Sequence, residues 1–80
     1  MAVKIVFLGP LRDLSGQESR EVAAPLDWEG LIAAVGPEIA GQLQSDRVNV
    51  ACAGRVLADK IALAAQDGDE VALLPPVSGG

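Results

Sequence analysis

The chain has 80 residues, half of them apolar and 21% charged, which suffices for one hydrophobic core and leaves no room for a second. Its net charge of -5 and pI near 4.3 lack the basic footprint that nucleic-acid binding needs and would steer it toward a basic partner surface. With no histidine and one cysteine, it can hold neither a Ser-His-Asp or Cys-His site nor an internal disulfide.

Phe7 and Trp28 are the only aromatics, so the core must be aliphatic. Met1-Ala2-Val3-Lys4 runs straight into a short apolar stretch without a signal-peptide layout, and no apolar run approaches a membrane span. A lone cysteine fits a reducing compartment. The expectation is a soluble cytoplasmic domain with no membrane or nucleic-acid partner.

Val3 to Leu8 has only Lys4 as a polar residue and is rich in β-branched side chains, predicting a strand covered on nearly both faces. Val3, Ile5 and Phe7 share one face, with Lys4, Val6 and Leu8 on the other. Gly9 ends it. Pro10 to Gly16 predicts a short helix, Pro at its start and Gly just past its end, pinned by Leu11 and Leu14. Glu18 to Ala23 is charged around Val22, as suits an edge strand.

Asp27 is a good N-cap, and Trp28, Leu31, Ile32 and Val35 follow at i, i+3, i+4 and i+7, the main helical stripe. Gly36-Pro37 interrupts it, and Glu38 to Gln44 predicts a second short helix burying Ile39 and Leu43. Arg47 to Ala53 alternates as a strand, Gly54-Arg55 as a turn, and Val56-Leu57 as a short strand. Ala58 to Gln66 shows no clear period and is expected to be mostly loop. Asp67-Gly68 is a turn signal, and Glu70 to Leu74 is the last strand. The order implies an α+β fold, one main helix on one face of a small mixed sheet. With the first strand central and the last one parallel beside it, this is a β-grasp. Val6, Leu8 and an alternate residue of the last strand would then form an exposed apolar patch suited to a protein partner.

No P-loop or dinucleotide fingerprint occurs. Cys52 lies in an apolar strand, where an inert thiol is the ordinary case. Asp67, Asp69 and Glu70 around Gly68 faintly resemble a calcium loop but lack its remaining ligands, so a turn is the simpler reading and no metal is expected. Arg12, Arg47 and Arg55 could meet a partner's carboxylates, with solvated surface as the default.

The body is residues 1–74; residues 75–80 form an extended tail. Pro75 and Pro76 should stop the sheet ladder and hold the chain extended, and six residues span about 20 Å at ~3.3 Å each. Val77 and Ser78 lead to Gly79 and Gly80, which lack a Cβ and fit a channel too narrow for other side chains. A frayed terminus is the ordinary alternative. Used chemically, the tail offers the Gly80 carboxylate, which needs adenylation by ATP on a partner enzyme before sulfur or nitrogen can attack it.

The run Asp67-Gly68-Asp69-Glu70-Val71-Ala72-Leu73-Leu74-Pro75-Pro76-Val77-Ser78-Gly79-Gly80 resembles the C-terminal signature of the small, sulfur-carrier subunit of molybdopterin synthase, in the ubiquitin-like MoaD/ThiS-type family. Val3 to Leu8 followed by Leu11-Arg12-Asp13-Leu14-Ser15-Gly16 is similar to the family's start. Many relatives carry an aromatic residue before Pro-Pro, where this chain has Leu73-Leu74. The resemblance implies a ubiquitin-like fold and a Gly80 that an E1-like adenylating enzyme activates, using ATP and magnesium, and that is then converted to a thiocarboxylate. It implies insertion of the tail into the large subunit of the synthase, which holds the catalytic side chains, within a heterotetramer. The chain would itself be a non-catalytic sulfur donor with no bound cofactor, giving dithiolene sulfur to cyclic pyranopterin monophosphate. Leu74, Pro75, Pro76, Val77, Val6 and Leu8 would touch the partner, and Ser78 and Gly79 would give access. Sulfur carriage for thiamine or cysteine synthesis, protein modification through Gly80, and an inert interaction module are the alternatives.

Overall fold

The computed structural model describes residues 1–75; Pro76, Val77, Ser78, Gly79 and Gly80, and the roles expected of them, lie outside the described residues. The first strand, β1 (Ala2–Phe7), alternates with Val3, Ile5 and Phe7 fully buried and Lys4 exposed. Helix α1 (Pro10–Ser15) begins with proline and ends on Gly16 in the left-handed region, whose N–H reaches the Arg12 carbonyl. Only Leu11 of this helix is buried, while Leu14 is 45% exposed. The expected two-leucine anchor is thus a one-leucine anchor, with Leu14 half in solvent.

β2 (Ser19–Ala23) pairs antiparallel with β1 and forms one edge of the sheet. Its Arg20 faces the helices: the guanidinium lies 5.9 Å above the Phe7 ring and donates to the Ala34 carbonyl. β3 (Leu26–Asp27) leads into α2 (Trp28–Val35), whose N-cap Asp27 accepts from the Gly30 N–H at 2.8 Å. Leu31 and Val35 are buried, with Trp28 and Ile32 packed at the rim. α3 (Pro37–Leu43) restarts after Gly36 and buries Ile39, Ala40 and Leu43.

β4 (Asn49–Cys52) and β5 (Arg55–Val56) form a hairpin closed by Ala53 and Gly54, both at positive φ. The segment expected to be loop contains two elements. The first is a 3-10 turn, η1 (Lys60–Ala62), capped by Asp59. The second is β6 (Ala64–Ala65), which pairs with β3. β7 (Glu70–Leu74) closes the chain. The main sheet runs β2-β1-β7-β4-β5. β7 is parallel to β1, as expected, but it is β7 and not β1 that lies at the centre. Both strands are apolar enough for the place, and only the arrival of β4 on the far side of β7 settles which holds it.

The helices cover one face of this sheet, and the buried side chains of β1, β4 and β7 meet Leu31, Ile39 and Leu43 in a single core. The architecture is the ubiquitin-like β-grasp.

Candidate functional site

The site is built where β7 hands the chain to its tail. Along β7, Val71 and Leu73 point into the core, while Ala72 and Leu74 are half-buried on the open face. Leu74 pairs with Asn49 of β4, the last rung on that side. Pro75 follows, half-buried, and has no N–H to continue the ladder. It rests against Gly9, where an added Cβ would lie 3.3 Å from the Pro75 Cγ. Gly9 has φ 55 and ψ -133, a conformation open to glycine alone. The corner between β1 and α1 therefore forms the seat for the root of the tail.

The open face is ordered in rows by the registers. The row farther from the tail is charged, with Glu21, Lys4 and Glu70 side by side on β2, β1 and β7. Two residues along, Val6, Ala72, Ala51 and Val56 line up across β1, β7, β4 and β5. Beyond them, at the end where the chain leaves, stand Leu8, 38% exposed, and Leu74. The surface becomes apolar toward the tail, and it is uncovered by any described element of the domain.

Val6, Leu8, Leu74 and Pro75, the expected partner-binding residues that lie within the described chain, are thus brought to one end of the sheet. Ala51 and Val56 extend the patch and were not singled out from sequence, since a two-residue β5 carries no readable alternation. Gly9 was also missed as a seat, because its neighbour Pro75 is far away in the chain.

No other chemistry gathers here among the described residues. Cys52 sits on the opposite, core-facing side of β4 and pairs with Val71, three rungs from Leu74, about 10 Å at the usual strand rise. Partial burial pushes its thiol pKa up, and the nearby Asp69 carboxylate adds to the rise, so it stays protonated and unreactive at neutral pH. The carboxylates of the acidic turn serve the backbone: Asp67 accepts from the Ala2 N–H and Asp69 from the Gln66 N–H. Among the described residues no cluster of three His, Cys, Asp or Glu could hold a metal, and no helix is long and apolar enough to cross a membrane.

Residues 5–80 match the ThiS family. No match was found among curated proteins. Among solved structures, the chain is 32% identical to the HVO 2177 protein of Haloferax volcanii, covering 100% of this chain and 87% of that one with a TM-score of 0.77. It is 26% identical to small archaeal modifier protein 1 of the same organism, with 100% of both chains covered and a TM-score of 0.73. It is 28% identical to a chain in the complex of subunits 1 and 2 of molybdopterin-converting factor from Helicobacter pylori, again over 100% of both chains, with a TM-score of 0.68. The family match over residues 5–80 and the likeness of fold over the whole chain agree: the chain belongs to the ThiS family of ThiS/MoaD-like sulfur carriers and ubiquitin-like modifiers.

Proposed function

We propose that this protein is the sulfur-carrying small subunit of a molybdopterin synthase, and that Gly80 is its working residue. The observation that carries the reading is the run Asp67 to Gly80, of which Glu70–Leu74 form the central strand, with Leu74 beside an uncovered apolar face. In the first step a Gly80 carboxylate oxygen attacks the α-phosphorus of ATP, bound with magnesium by an E1-like enzyme, and pyrophosphate leaves. A hydrosulfide-level sulfur then attacks the acyl carbon and displaces AMP, leaving a thiocarboxylate. If the sulfur arrives as a persulfide, a thiol reduces the resulting acyl disulfide. Two loaded carriers, one at each end of a large-subunit dimer, then supply the dithiolene sulfurs to cyclic pyranopterin monophosphate. Val6, Leu8, Leu74 and Pro75 would meet the large subunit, with Pro76 and Val77 following into its channel and Ser78 and Gly79 passing the narrowest part. The likeness to one chain of the two-subunit Helicobacter complex supports a large-subunit partner.

The experiment is intact mass after incubation with the adenylating enzyme, ATP-magnesium and a sulfur donor. The expected product is heavier by about 16 Da, an oxygen replaced by sulfur at the activated acyl carbon; an unchanged mass refutes sulfur carriage. A second reading, protein modification through an isopeptide bond at Gly80, draws on the likeness to the archaeal modifier. The acyl-adenylate accepts a lysine amine with loss of AMP, and denaturing gels of cell extract would then show covalent adducts.

A further inference from the structure

A second surface feature lies beside the root of the tail and has no part in the steps above. Between the turn before β4 and η1 is a hollow of about 220 Å³, walled by Val48, Leu57 and Ile61 and rimmed by Asp46, Asn49 and Asp59. Ile61 is 66% exposed, an aliphatic side chain the domain leaves uncovered. Asp59 uses one carboxylate oxygen to cap η1 through the Ile61 N–H. The salt bridge formed among the described residues, Arg12 with Glu18, is elsewhere, so neither Asp46 nor Asp59 is paired with a cation of the described chain. Lys60 also borders the hollow, but its ammonium is held by the Ser45 and Val48 carbonyls and lies 5.9 Å above the Trp28 ring. It is directed inward and its charge is met by carbonyl dipoles.

We infer that this hollow is a docking socket for an arginine side chain on the protein that receives the tail. Two facts point to that occupant. Asn49, on the rim, is the cross-strand partner of Leu74, so the hollow adjoins the strand end from which a receiver would take the tail. The chemistry is also complementary: an arginine stem covers Leu57 and Ile61 while its fork meets two carboxylates, a pairing favoured at interfaces. A lysine would offer a compact point charge without the planar fork. The inference rests on the carrier reading for the identity of the partner, while the socket can be tested apart from it.

The test uses the full-length, 15N-labelled chain titrated with N-acetyl-arginine methylamide, and with the matching citrulline compound, which keeps the stem and loses the charge. Saturable amide shifts confined to Asp46, Asn49, Leu57, Asp59 and Ile61 are expected with arginine, and no saturation with citrulline. Asp46→Asn with Asp59→Asn should weaken binding about tenfold, equivalent to ~1.4 kcal/mol, while Asn at position 59 still caps η1. Ile61→Ser, at an exposed site, should weaken it without touching the charges. Equal response to citrulline, or shifts spread over Glu18, Glu21 and Glu70, overturns the socket. Concentration-dependent shifts at Ile61 without any additive would assign the surface to a second copy of the chain and overturn it as well. In the sulfur-loading and transfer assays the double variant should raise KM for the carrier and leave kcat unchanged. Absence of any mass gain in the unaltered protein would refute the carrier function, and the arginine titration would still decide for or against the socket.

Discussion

Ala53 carries a φ of 52 beside Gly54 at 84, the pair of positive values that a tight two-residue hairpin turn demands. An L-residue with a Cβ is strained there by about 1–2 kcal/mol, and Asn tolerates the same geometry far better. Ala53→Asn should therefore raise stability by about 1 kcal/mol, seen as a higher urea midpoint with an unchanged slope. A lower midpoint would mean that the turn has relaxed to another form. Gly9 poses the opposite case, since its positive φ strains any side chain and an added Cβ would crowd the Pro75 ring at 3.3 Å. Neither position announces itself in the sequence. Gly54-Arg55 read as the turn one residue late, because only the paired register of Cys52 with Arg55 shows that Ala53 and Gly54 are the corner.

Among the elements, those with a strong period were legible. The stripe of α2, the break at Gly36-Pro37 and the strand β7 fall where the sequence puts them, and β1 starts and ends one residue earlier than expected, leaving Leu8 outside it. The stretch from Ala58 to Gln66 was not. Its β6 is two residues long and exists because β3 lies opposite, and η1 is held by distant partners. Lys60 shows how: its ammonium donates to the Val48 carbonyl at 2.8 Å and to the Ser45 carbonyl, tying η1 to the end of α3 and the start of β4. No local pattern predicts a contact made across a dozen residues of chain. Lys60→Met keeps the aliphatic stem, leaves the Val48 carbonyl without its donor and leaves the Ser45 carbonyl only the Val48 N–H at 3.2 Å, which should cost about 1–3 kcal/mol, measured by urea denaturation. An unchanged midpoint would show that water replaces the ammonium. Arg20, over Phe7 and bound to the Ala34 carbonyl, ties β2 to α2 in the same manner and was equally silent in the sequence. The site was legible where strand alternation puts Val6 and Leu74 on the open face, while Leu8 lies one residue past the end of β1. It was not legible where it depends on β5 or on the seat at Gly9.

At the scale of the molecule, every buried apolar side chain of the described core precedes Leu74, so the fold and the chemistry assigned to Gly80 are separable. Deleting Gly79 and Gly80 should abolish the mass gain on sulfur loading and leave the melting temperature within about 2 °C, since a loss of 1 kcal/mol would lower it by roughly 4–8 °C in a domain of this size. A larger fall would show that the tail contributes to the folded body. The charge of the whole, -5, acts at longer range and would speed encounter with a receiver if that receiver is basic, an effect strongest at low ionic strength and fading as salt screens it. The position of β7 adds a mechanical property. A receiver that tugs on the tail pulls along a strand bonded on both sides, to β1 and to β4, so the load is shared in shear by two ladders at once. An edge strand would instead peel away one bond at a time. The domain can therefore be drawn against by force through its C-terminus without unravelling from that end.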